Sequence, residues 1–278
     1  MKLWQKNTDS SKEVEAFTVG RDKEFDLQLA PFDIIGSIAH AKMLESVGLL
    51  KKDEAAGLVK ELKSIYTSTT GNNGIVIEEG VEDIHSQIEL ILTKKLGDTG
   101  KKIHAARSRN DQVAVDIRLF LRKEIETLVN STNFFFELLQ SQSEKFKDHL
   151  YPGYTHLQVA MPSSFGLWFG AYAESLAGDM IPLKAAYDLI NRNPLGSAAG
   201  YGSSFPINRT MTTELLGFAG LDYNVVYAQM TRGKMERIIA MALANFAESC
   251  KGCLRYRFSE RHCRYTRMHC CWLLALVY

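Results

Sequence analysis

Three polar stretches of the chain hold the residue types that could do chemistry. In HAARSRNDQVAVD, residues 104–116, Arg107 and Arg109 flank Ser108, Asn110 and Asp111 at the start of a long apolar repeat. Ser, Asn and Asp are helix-capping types, so ordinary capping accounts for them. The same place, with unsatisfied N–H groups, a positive dipole end and two guanidinium groups, also suits a carboxylate. In YPGYTHLQVAMP, residues 151–162, His156 stands beside Thr155 and Gln158 between prolines, as a structural histidine or as a base near neutral pH with hydrogen-bonding neighbours. In NPLGSAAGYGSSFPINR, residues 193–209, the glycines do not form a phosphate loop, because the G-x-x-x-x-G-K-[ST] pattern and a preceding strand are both missing. It reads as a tight backbone turn that a ligand could approach closely. In VEDIHSQIE, His85 and Glu89 are four apart on one helical face. Two ligands do not make a metal site, and a surface ion pair is the reading adopted.

These stretches interrupt helices. Ile34, Ile38, Ala41, Leu44 and Val47 recur at helical spacing, and a second helix capped by Asp53 carries Leu58, Leu62 and Ile65 before the turn GNNG. A third, EDIHSQIELILTKKLG, stops at Gly97. From Lys101 to Tyr151 there is no Gly or Pro, and a stripe runs through Val113, Ile117, Phe120, Leu121, Leu128, Phe135, Leu139 and Phe146. A helix of about 40 residues would extend about 60 Å and needs neighbours along its whole length. Helical patterns follow over 165–190 and 231–247, the latter with Met235, Ile238, Ala242 and Phe246 on one face, and strand-like alternation is nearly absent. The expected fold is all-α: a small N-terminal helical domain over 1–105, an incomplete long-helix central domain over 106–247, and a Cys/Arg-rich tail over 248–278. Helices with this much apolar surface imply self-association.

Of 278 residues 46% are hydrophobic and 23% charged, a globular composition. The N-terminus lacks the apolar block of a signal peptide, and no run is long enough to span a bilayer, so the expectation is a cytoplasmic protein without membrane partners. The net charge of +1 hides an asymmetry, because residues 250–278 hold five Arg and one Lys against one Glu, leaving −4 for the rest. That body shows no nucleic-acid signature. It also contains no cysteine: all five lie between Cys250 and Cys271.

EDIHS at 82–86, RSRNDQVA at 107–114, PGYTHLQ at 152–158 and NPLG at 193–196 together resemble the argininosuccinate lyase family, within the aspartase and fumarase superfamily that includes the delta-crystallins. The resemblance covers residues 1–247. It implies a homotetramer of long helices that cleaves argininosuccinate reversibly to arginine and fumarate, without metal or organic cofactor, at sites assembled from three subunits. By motif, His156 would be the base-side catalytic residue, Asn110 would hold a substrate carboxylate and Thr155 would hydrogen-bond the substrate. Ser108, Arg109 and Gln158 would complete the polar wall. One departure lies in VGRDKEFD, where Asp22 occupies the place nearest to a substrate-binding Ser of many relatives.

The family continues into a GSSxMPxKKNP-type loop that supplies a catalytic Ser, a Lys and an Asn, and this sequence has no such run; Ser203 and Ser204 belong to the NPLG region. From about Glu248 the composition shifts to Cys, Arg and aromatic residues, which is expected of out-of-frame translation. The rival is a zinc site using Cys250, Cys253, Cys263, His269 and Cys270, whose second half lacks a regular ligand pair. Three readings follow: a lyase subunit, a catalytically inactive fragment that associates through its helices, and a zinc-binding module.

Overall fold

A computed structural model describes residue 17 and residues 20–69 and 74–255, with side chains to Cys250. The chain forms two compact units, one from residues up to 120 together with 191–232, the other from 121–190 together with residues from 233 onward.

In the first unit, α1 (Asp22–Ser46), α2 (Lys52–Thr69) and α3 (Ile84–Leu96) bury Ile34, Ala41 and Leu44 against Leu58, Leu62 and Ile65, and against Ile84, Ile88 and Leu92. The spacing predicted those of the first two helices, and burying each large aliphatic side chain contributes about 1.5–3 kcal/mol. Asp83 caps α3, its side chain accepting from Ser86 N at 2.6 Å. A single turn, α4 (Asp98–Lys101), and a 3-10 turn (Lys102–His104) lead to α5, Arg109–Lys145, a helix of 37 residues and about 56 Å.

The first three turns of α5 depart from the expected stripe. Val113 and Ile117 are only partly buried, whereas Val115 and Leu119 are buried together with Asp111, Gln112, Asp116 and Arg118. This part of the helix is enclosed on its polar side too. A second small core joins Val115 and Leu119 to Ala39, Leu195, Leu216 and Phe218. The returning segment adds a two-residue parallel bridge between β3 (Arg192–Asn193) and β4 (Gly220–Leu221), with α7 (Arg209–Leu215) and α8 (Val225–Met230) beside it.

In the second unit, α5 continues with Leu121, Ile125, Leu128, Thr132, Phe135 and Leu139 buried, alternating steps of four and three. That is the seam of a helix packed nearly antiparallel on its neighbours. It packs on α6, Phe165–Ile190, with Phe169, Ala173, Leu176, Leu183 and Ile190 buried, and α6 in turn packs against α9, Lys234–Arg255, with Met235, Ile239, Ala242 and Phe246 buried. Ser143 Oγ donates to Gly166 O at 2.7 Å near one end of the α5–α6 pair, and Tyr187 donates to Glu126 at 3.0 Å near the other, so the two run antiparallel. The architecture is all-α. Among the described residues no helix is long and apolar enough to cross a membrane.

One expectation is corrected. Where the sequence shows almost no strand-like alternation, YPGYTHLQVAMP lies in a hairpin of β1 (Leu150–Thr155) and β2 (Gln158–Ser164). Alternation is hidden there because the strands are exposed on both faces, so no apolar period marks them. Helix α9 also runs past the composition change at 248, with Cys250 buried in it; residues 256–278, and with them most of the tail and its zinc reading, lie outside the described residues.

Candidate active site

The structure sorts the six expected site residues into two sets. Ser108, Arg109 and Asn110 open α5 in the first unit. Thr155, His156 and Gln158 form the hairpin tip of the second.

At the start of α5, Ser108 is the cap: its Oγ accepts from Asn110 N at 3.3 Å, and its own N donates to Asp111 Oδ1 at 2.9 Å. Asp111 is fully buried, and its other oxygen accepts from Gly196 N at 2.9 Å and Ala198 N at 3.1 Å. The RSRND and NPLGSA stretches are therefore one structure, joined through a carboxylate. Burial raises the Asp111 carboxyl against the pull of those N–H donors and Arg107. Asn193 is internal, donating to Thr212 and Thr213 at 3.0 Å each, so it shapes the turn.

The two guanidinium groups expected to greet a carboxylate are occupied. Arg107 is buried and donates to Ser37 Oγ at 3.0 Å. Arg109 donates to Gln112 Oε1 at 2.9 Å and Ser86 Oγ at 3.1 Å, and lies 3.4 Å from Asp83. Arg109 thus ties the EDIHS stretch to the helix start. The cation that reaches Asn110 is Arg232, whose Nη1 donates to Asn110 Oδ1 at 2.8 Å. Sequence reading missed it, because 122 residues separate the pair.

At the hairpin tip, His156 and Leu157 have φ of 49° and 63°. Two consecutive positive values match the twist of a two-residue type I′ hairpin, which Asn-Gly would fill without strain. A histidine and a leucine there are held in a costly conformation. Among the described residues, the side chains of Thr155, His156 and Gln158 take no hydrogen bond, and all three are exposed. Among the described residues the non-glycine residues with positive φ, Ala106, His156, Leu157 and Ala198, fall one or two to each of the three polar stretches. Backbone strain is concentrated where the polar residues were singled out.

The His85 expectation is overturned. His85 is not on a helix surface with Glu89; it is 3% exposed, its Nδ1 3.3 Å from Asp33 and 3.4 Å from Asp116. Glu89 instead lies 3.8 Å from His104 and 4.0 Å from Arg109. Three helices, α1, α3 and α5, meet at this cluster. Burial alone would raise the Asp33 carboxyl, but His85, Arg107 and a hydrogen bond from Gln112 outweigh it and hold it down at about 2. Burial, and then the charge of Asp33, hold Asp116 well above the ordinary carboxylate range. The three ligand atoms lie within 4.8 Å of one another, spacing that suits a metal. Arg107 already supplies a positive charge acting on both carboxylates, so the cluster is one of mutually compensating buried groups.

Long antiparallel helices carrying strained polar turns at their ends define a helical-bundle scaffold. The family model described as "Lyase" matches residues 2–247, and the chain belongs to that family. Curated relatives include argininosuccinate lyase of Bacteroides fragilis, 63% identical over 88% of this chain and 55% of that one. That of Parabacteroides distasonis is 62% identical over the same shares, 88% and 55%, and that of Thermotoga neapolitana 38% identical over 88% and 62%. The chain spans little more than half the length of these relatives. Among solved structures, EDDS lyase in complex with formate superposes with a TM-score of 0.70 at 25% identity, over 83% of this chain and 46% of that one. A fumarate lyase:delta crystallin from Brucella melitensis bound to cobalt shares the fold, with a TM-score of 0.66 at 18% identity over 84% and 58%.

Proposed function

We propose that residues 1–247 are the argininosuccinate lyase portion of this chain, acting in the reversible elimination of fumarate from argininosuccinate to give arginine. The observation that carries this is the 63% identity to argininosuccinate lyase over 246 residues, a span that includes both RSRNDQ and YTHLQ. In this reading Asn110 holds a substrate carboxylate, with Ser108 and Arg109 shaping the wall behind it. Thr155 and Gln158 hydrogen-bond the substrate beside His156. A base on the His156 side takes the proton from the carbon next to a carboxylate. The C–H electron pair moves into that carboxylate, giving a doubly negative aci-carboxylate that N–H donors stabilise. The pair then returns to form the C=C bond of fumarate as the C–N bond breaks, its electrons leaving with the guanidino nitrogen, which is protonated. No metal or organic cofactor enters the scheme.

The three-part division at 105 and 247, a cytoplasmic location and assembly as a homotetramer belong to the same reading. Sites built from three subunits account for a hairpin tip whose polar side chains find no hydrogen-bond partner within their own unit. The second reading is a catalytically inactive fragment, favoured by the composition change after Ala247. The discriminating measurement follows fumarate absorbance when the purified 278-residue chain meets argininosuccinate. Robust turnover that His156→Asn lowers at least about a hundredfold, with assembly retained, supports the lyase. Turnover unaffected by that change removes the role given to His156, and no turnover leaves the inactive fragment as the description of this chain.

A further inference from the structure

We propose that Arg232 is the positioning residue for Asn110, holding its amide with the N–H end outward so that it can receive a carboxylate; this rests on the reading of Asn110 given above. An asparagine side chain has an acceptor end and a donor end of nearly the same shape. Only the donor end attracts a carboxylate; a flipped amide would set oxygen against oxygen. Arg232 Nη1 donates to Asn110 Oδ1 at 2.8 Å, so the acceptor end is taken, while among the described residues the NH2 group has no acceptor. A guanidinium has only donors and can bind only the oxygen end, which makes the choice of orientation unambiguous.

The position of Arg232 is itself built. The preceding residue, Thr231, is buried; its N donates to Tyr227 O at 3.0 Å, and its Oγ1 accepts from Arg118 Nη2 at 3.1 Å. Arg118 pairs with the buried Asp222 at 2.7 Å. Gly233, with φ of 76°, turns the chain away immediately after. Gln229 Nε2 donates to Ser197 Oγ at 2.8 Å, and Ser197 lies between the two residues whose N–H groups Asp111 accepts. Arg232 N donates to Gln229 O at 3.2 Å, so hydrogen bonds and the Asn110–Asp111 peptide link close a ring through the 196–198 turn, Gln229 and Arg232 within the first unit. Among the described residues no carboxylate pairs with Arg232, whereas Arg107 and Arg109 are engaged elsewhere. Its charge adds to the positive field at the start of α5.

The test uses the full chain with fumarate as the probe, in wild type, R232K, R232Q and N110A. Side-chain 15N relaxation of Asn110 should report one ordered amide in the wild type and R232K, and an averaged one in R232Q. Fumarate Kd should rise about tenfold in R232Q and less in R232K, as expected for losing one charge-assisted hydrogen bond. Backbone amide shifts away from 108–111 and 229–233 should not move, since Arg232 is exposed. Unchanged amide order and affinity in R232Q, while N110A weakens binding, would overturn the role of Arg232 alone. If N110A and the wild type respond to fumarate identically, including no binding by either, Asn110 is not the carboxylate holder and the proposal falls with it.

Discussion

His40 is buried in α1 with Nε2 2.9 Å from Ala105 O, the carbonyl just before the strained Ala106. Burial, and then the nearby Arg107 charge, push its imidazole down to about 3. In the unfolded chain it takes up a proton near 6.5, so between about 6.5 and 3 the unfolded state binds more protons and stability falls as the pH falls. From pH 7 to pH 5 this one group costs about 2 kcal/mol. Asp116, raised in the fold, acts in the opposite sense, its contribution being present at low pH and lost as pH rises through its folded value. Asp33, held at about 2, contributes stability that is present above the ordinary carboxylate range and lost as the pH falls toward 2. His40→Gln isolates the imidazole: urea unfolding at pH 7 and pH 5 should show about 2 kcal/mol less acid sensitivity in the variant. Equal sensitivity in both proteins would contradict the burial of a neutral imidazole. At this scale the sequence was legible for Ser108, a capping type that does cap α5, and illegible for His85, whose partners Asp33 and Asp116 stand on two other helices.

Between α3 and the turn that follows, backbone touches backbone at Gly100. A Cβ there would lie 2.5 Å from Leu92 C and O and 2.6 Å from Thr93 N, atoms that cannot give way without moving the helix. Gly100→Ala should therefore destabilise by more than about 2 kcal/mol, through strain in a packed contact. Gly57, inside α2, makes the control, because a Cβ there would meet only Leu96 Cδ2, at 4.0 Å. Gly57→Ala should raise stability by about 0.5–1 kcal/mol, the helix preference of alanine over glycine. Opposite signs in chemical denaturation check both; destabilisation by both would mean that α2 is packed more tightly than its contacts indicate. Helices α1, α2, α3, α5 and α6 could be read from apolar spacing, although α1 also buries Asp33, Ser37 and His40. The hairpin could not, because both its faces are exposed, and neither could the first turns of α5, because they bury polar residues that pattern reading assigns to the surface.

For the whole molecule the exposed apolar side chains of the second unit decide the expected behaviour. Phe134, Leu150, Val159, Leu167, Ile181 and Met241 are each more than half exposed. An open cleft of about 210 Å³ between α5 and α6 is lined by Val129, Phe136, Leu176 and Met180 among others. A surface of this kind is characteristic of association. The chain alone should therefore associate or aggregate at micromolar concentration, measured by light-scattering-coupled size exclusion; a monodisperse monomer would contradict this. The sequence by itself determined the helical class, the core faces of the helices and the motifs RSRNDQ, YTHLQ and NPLG, because periodicity and local residue types are properties of neighbouring positions. Only the tertiary structure decided which polar residues are spent internally. Asp111 binds a turn 85 residues away, His85 closes a buried cluster, Arg107 and Arg109 are withdrawn into the fold, and Arg232 arrives at Asn110. Long-range pairing of charges leaves no period in the chain, so no local pattern could have announced it.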